Sequence, residues 1–211
     1  LLILHTLTGG PFFNERPAHF SMSIYSEIIE IFRDVVKATA EDCKIIITHY
    51  RSGESEKISC PEINYTFGNS RYVKDNLDEL SKTPAGNEKK FPLIALFCPF
   101  QEKRDSPDYF SKATVNVLIA CSSSKEWSNL ERRELSFQNI LRPIYKRLLE
   151  ALKEDGRLDF GYNGVVRHNY SENYSYGRYG AHDGTGDAVS EPIDAINITN
   201  LELTVTNQTC R

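Results

Sequence analysis

Apolar residues recur at helical spacing in two stretches of the chain and crowd into consecutive runs in two others. In the first helical stretch Ile24, Ile28, Ile31, Phe32 and Val35 share one side, while Glu27, Glu30, Arg33, Asp34 and Lys37 share the other. Ser23 stands where an N-cap belongs, so a helix over 23–39 is predicted. The second stretch carries Phe137, Ile140, Leu141, Ile144, Leu148, Leu149 and Leu152, and ends near Gly156. Ser128 and Glu131 form a capping-box pattern at its start, which predicts a helix over 128–153. Pro143 removes one N–H inside it. A kink, or two shorter helices meeting at Arg142 and Pro143, is expected.

The run FPLIALFC at 91–98 reads as a buried strand, with ATVNVLIAC at 113–121 as its antiparallel neighbour and a polar link at 101–108 between them. Both are apolar on consecutive positions, so helices are expected on one face and another sheet or subunit on the other. Upstream, 45–50 and 58–67 read as a hairpin across the polar turn 51–55. Residues 69–90 are polar and read as a loop holding one short helix at 73–80. A short strand at 164–168 leads into a long loop reaching Glu191. The strand at 196–205 closes the chain, alternating with one phase slip at Asn200. The fold class is therefore α+β: one mixed, mainly antiparallel sheet with two long helices packed on it. Leu93, Ala95 or Leu96, Val117, Ile119, Phe137, Leu141, Ile144 and Leu148 form the expected core.

The 211 residues suit one domain, assigned to 22–211, with 1–21 an N-terminal arm or upstream segment. A net charge of -4 lacks the basic footprint of a nucleic-acid binder. No apolar run is long enough for a transmembrane helix, so a soluble protein is expected. The five cysteines form no CxxC pair and three sit in apolar runs, which favours reduced thiols over a disulfide framework or zinc site.

Motifs for chemistry are missing. Gly184-Thr185-Gly186 has neither the strand nor the helix of a phosphate loop. His168, His182 and Asp183 are the best metal-ligand types but match no ligand spacing, and His49 falls in a strand. Ser122-Ser123-Ser124 reads as a polar turn. The expectation is a non-enzyme with no catalytic residue, cofactor or metal.

One local feature rises above background. Tyr162, Tyr170, Tyr174, Tyr176 and Tyr179, with Arg167 and Arg178, lie in a Gly- and Asn-rich stretch at 161–191. This is the composition of adaptable protein-recognition loops, and also of surfaces that stack on single strands. Tyr170, Tyr174, Tyr176, Arg178 and Tyr179 are the candidate protein interface. Changing Tyr174, Tyr176 and Tyr179 together to Ser is expected to weaken assembly and leave unfolding of the domain nearly unchanged.

The segments FPLIALFCPF, NLERRELSFQNILRPIYKRLLEAL and EPIDAINITNLELTV resemble phage-encoded proteins of tailed phages and prophages in the Bacteroides group. The element order is similar to that of the tail-terminator or tail-completion family. That resemblance implies a ring-forming virion subunit, often a hexamer, assembled in the bacterial host cytoplasm. It would sit at the end of the tail tube, stop polymerisation and dock neck or connector proteins. A stand-alone protein-binding module and an enzyme with a dispersed active site are the alternatives.

Overall fold

A computed structural model describes residues 27–48, 54–106, 110–176 and 192–206. Its centre is a long antiparallel pair, here β4 (Leu93–Ser106) and β5 (Phe110–Ser122), in which Ile94 faces Ile119 and Leu96 faces Val117. β8 (Ile193–Thr206) lies antiparallel on the other side of β5, and β3 (Asn64–Gly68) runs parallel to β4. β8 in turn pairs along its outer side with β6 (Leu158–Asp159) and β7 (Asn169–Tyr176). The fold is α+β with a mixed, mainly antiparallel sheet. A small separate hairpin of β1 (Lys44–Thr48) and β2 (Ser55–Ser59) adds a second sheet.

The phase slip in the last strand has a physical cause. Asn200 takes a positive φ of 54°, and its N–H donates to Asn116 Oδ1 at 3.0 Å. Between Val115 and Val117, β8 advances from Leu201 to Ile198, so an extra residue bulges there. Asn is the side chain that tolerates this left-handed backbone. The bulge keeps Ile196, Ile198, Leu201 and Leu203 in one core.

Helix α1 (Ile28–Asp42) buries Ile28, Ile31, Phe32, Val35, Val36 and Thr39. It starts later than the sequence pattern suggested, with Glu27 at the N-cap position and no side-chain cap. Ser23 lies outside the described residues. The second helical rod begins with α4 (Asn129–Arg132), capped as expected: Glu131 N–H donates to Ser128 Oγ, and Ser128 N–H to Glu131 Oε2 at 2.7 Å. It continues through a π-helical stretch, Arg133–Leu141, into α5 (Arg142–Glu154). Arg142 N–H donates to Phe137 O, five residues back. Pro143 thus falls in the first turn of α5, where its missing N–H costs little. Widening to π geometry upstream, rather than a simple kink, absorbs the proline.

These helices and the hairpin cover one face of the sheet. The other face is covered at its centre by α2 (Ser70–Leu80), whose Val73 and Leu77 pack on Leu93, Ala95, Leu118, Ala120, Ile193 and Ala195. This helix is capped by Asn69, which accepts from Tyr72 N–H at 2.8 Å. Covering by the chain's own helix replaces the expected second sheet or subunit there.

Four local expectations are corrected. Residues 58–67 are not one strand: Cys60, Pro61, Glu62 and Ile63 separate β2 from β3, because proline cannot donate to a ladder. Residues 84–88 form a short helix, α3 (Pro84–Glu88), with Thr83 Oγ1 accepting from Gly86 N–H at 3.1 Å. The supposed polar link at 101–108 is strand as far as Ser106. The short strand expected at 164–168 forms instead at 169–176, so the first part of the supposed loop is sheet.

Candidate functional site

Two polar clusters stand out, one inside the domain and one on its surface. The interior cluster sits where α4 and the π-helical stretch meet the start of β8. Arg132 Nη1 donates to Asp194 Oδ1 at 2.8 Å, Nη2 to Ser124 O at 2.6 Å and Nε to Trp127 O at 3.2 Å. Ser136 Oγ donates to Asp194 Oδ2 at 2.7 Å. Arg132 and Asp194 are both buried, the latter completely. Asp194 also pairs across the ladder with Cys121, whose thiol is pushed up to about 12 by burial and by that carboxylate. A thiol held protonated is a poor nucleophile, and the hydrogen bonds of this cluster join helix to sheet. Of the Ser122–Ser124 turn, Ser124 contributes its carbonyl.

Neither Arg132 nor Asp194 was among the sequence candidates. The signal was present: an aspartate between Ile193 and Ala195 in an apolar strand, and Arg132, Ser136, Ile140 and Ile144 four residues apart on one helix side.

The surface cluster lies between β7 and α5. Alternation along β7 sends Tyr170, Glu172 and Tyr174 to the helix-bearing face. Glu172 accepts a two-pronged contact from Arg142, Nε at 2.7 Å and Nη2 at 3.1 Å, and also accepts from the Tyr170 hydroxyl. The Arg142 hydrogen bonds hold the Glu172 carboxyl below its ordinary range, outweighing burial. Burial, then Glu172, pushes the Tyr170 hydroxyl up. The Tyr145 ring packs on Tyr170 with centroids 4.9 Å apart. Tyr145 Oη lies 2.7 Å from His168 Nε2, and His168 Nδ1 lies 2.9 Å from Val166 O. The backbone carbonyl can only accept, so Nδ1 carries a proton. Both ring nitrogens are engaged, and neither by a carboxylate.

Among the sequence-predicted interface residues, Tyr170 and Tyr174 meet this cluster. Tyr170 remains 41% exposed, whereas the Tyr174 ring packs on the fully buried Phe137 at 4.5 Å between centroids. Tyr176 ends β7 opposite Ile193. Arg178 and Tyr179 lie outside the described residues, as do His49, His182 and Asp183. Tyr174 anchors its own strand, so the triple Ser replacement is now expected to destabilise the domain. The Tyr174→Ser change alone should lower the midpoint of thermal unfolding, because stability loses the ring's apolar burial and about 0.5–1.5 kcal/mol from the aromatic pair.

No family model and no curated protein matches this chain. Among the described residues no three His, Cys, Asp or Glu side chains are grouped to hold a metal, and no helix is long and apolar enough to cross a membrane. On the opposite face, a groove lined by Gln101, Lys103, Lys112, Thr114, Glu202 and Thr204 mixes both signs of charge.

The Arg142–Glu172 contact ties an outer strand to a helix, and its strength depends on pH. A carboxyl with a lowered folded-state pKa stabilises fully above its unfolded value and loses that contribution as pH falls through the folded one. The gap in thermal midpoint between wild type and Glu172→Gln should therefore be constant near neutrality. It should shrink as pH drops below about 4.3, the ordinary glutamate value. A gap that persists unchanged at pH ~2 would show that charge is not what holds β7 to α5.

Proposed function

We propose that this protein is a non-enzymatic assembly subunit whose copies join head to tail, β7 of one sheet against β3 of the next, into a closed ring. The support lies in the two sheet edges. Among the described residues β7 has only β8 as a strand neighbour, and β3 only β4. β3 runs with β4, β5 against both, β8 against β5 and β7 against β8, so β7 and β3 run in opposite directions. A translated and rotated copy can therefore continue the sheet by antiparallel pairing.

The chemistry of the edges favours the same contact. Exposed strands usually carry lysine, proline or an unpaired charge that blocks pairing. The described side chains of β7 carry one charge, Glu172, and Arg142 neutralises it. Phe67 on β3 is 38% exposed and Tyr170 on β7 is 41% exposed. Their ladder partners Leu96 and Ile198 belong to the same core, so both aromatic rings flank the seam on one face. A contact between different surfaces closes into a ring when its rotation closes.

The segment resemblance supplies the setting. The ring would be a tail-terminator or tail-completion subunit of a tailed phage or prophage, located in the virion and bearing on tail-tube and neck proteins. The test replaces Phe67 and Ser171, both exposed, by Lys. With secondary structure unchanged by circular dichroism, the double variant should dissociate at least about tenfold more readily than wild type. Equal association of the two proteins in light scattering would place the interface elsewhere.

A further inference from the structure

Cys43 and Cys60 stand outside both polar clusters. Cys43 directly follows α1 and Cys60 directly follows β2. The register Lys44 opposite Ser59, carried one step outward, sets the two cysteines face to face. Cys60 N–H donates to Cys43 O at 2.9 Å. Opposed residues of a hydrogen-bonded antiparallel pair have Cα atoms about 5.5 Å apart, within the span of a disulfide. Both thiols are free and nearly buried, at 3% and 9% exposure, which admits only a small oxidant.

Arg147 of α5 lies beside them. Its Nη2 bonds Asp42 and Glu154, each at 2.9 Å, while its Nε is buried without a hydrogen-bond partner among the described residues. The side-chain hydrogen bond with Cys60 holds the Cys43 thiol below its ordinary value; burial opposes this and the Arg147 charge adds to it. The Cys60 thiol is pushed up by the same hydrogen bond and by burial. Arg147, held against Asp42 directly before Cys43, puts its positive charge on the Cys43 side of the pair, and Cys43 is therefore assigned as the attacking sulfur.

We propose that Cys43 and Cys60 are a peroxide-reactive thiol pair that closes to an intramolecular disulfide at the open end of the β1–β2 hairpin. The Cys43 thiolate attacks one oxygen of hydrogen peroxide and the O–O bond breaks. The departing hydroxide takes up the proton that Cys43 had lost and leaves as water, so Cys43 becomes a sulfenic acid. The Cys60 sulfur then attacks the Cys43 sulfur, the S–O bond breaks, and hydroxide leaves as water with the Cys60 proton. Two thiols lose two electrons and one peroxide becomes two waters. The new bond ties the end of α1 to the end of β2.

The test treats the full chain with about one equivalent of hydrogen peroxide, then denatures it in acid and alkylates the remaining thiols. Two thiols should be lost, and proteolysis should yield one cross-linked peptide pair containing Cys43 and Cys60. The Cys60→Ser variant should stop at the sulfenic acid, trapped on Cys43 by dimedone. The Cys43→Ser variant should lose no thiol at this dose. Cross-links between other cysteines, or Cys43 and Cys60 both still alkylated, would overturn the proposal. The wild-type peptide map decides the matter alone if either serine variant fails to fold.

Discussion

Replacing Arg132 by Met is expected to cost about 3–5 kcal/mol of stability, because it removes the cation from a buried ion pair and leaves its carboxylate in place. The Asp194 side chain is wholly inaccessible and that of Arg132 is 6% exposed, so water cannot substitute for the guanidinium. Arg132 also supplies the donors for Ser124 O and Trp127 O, and the turn before α4 loses both. Against a total stability of about 5–15 kcal/mol, such a loss threatens folding at ordinary temperature. The Arg132→Met, Asp194→Leu double variant should recover part of it, since removing both charges also removes their desolvation cost. Urea unfolding of the three proteins checks this. A single-variant loss below about 1 kcal/mol would mean that the pair behaves like a solvated surface one.

Leu141→Ala should cost about 2–5 kcal/mol, as a core truncation that leaves a cavity. Leu141 is fully buried at the end of the π-helical stretch, in one cluster with Phe137, Ile144 and Leu148. Its neighbours come from a helix and a sheet held together elsewhere, so they cannot easily collapse into the space. Denaturant unfolding is again the measurement. A loss below about 0.5 kcal/mol, the scale of surface changes, would show that this helix side does not face the core.

Both positions bear on how far the sequence could be read. Leu141 belongs to an apolar stripe of period near four, and such stripes depend only on which side a helix buries. The strands β4 and β5 were equally legible, because both their faces are covered and their centres are apolar throughout. Even the β8 bulge announced itself, as the slip at Asn200. The chain was harder to read where polar residues form structure. In β7 the Tyr170, Glu172 and Tyr174 alternation is a strand pattern, but Asn, Ser and neighbouring Gly gave it the composition of a loop. Its pairing partner lies beyond the next loop, in β8. The outer half of β4, from Gln101 to Ser106, lies past the central core and carries mostly polar side chains, so apolar periodicity had nothing to report. The buried Arg132–Asp194 pair was hidden for a different reason. A charge in an apolar run marks a buried partner only once the fold shows which residue it meets.

The central claim is that the β7 and β3 edges join copies of this chain into a closed ring. Its most direct test is the mass of the wild-type protein in solution, measured by light scattering behind size exclusion across a wide range of concentration. The account predicts one discrete oligomer, an integral multiple of the chain mass that stops growing once formed. A single-chain mass at every concentration, or a mass that keeps rising with concentration, would contradict it.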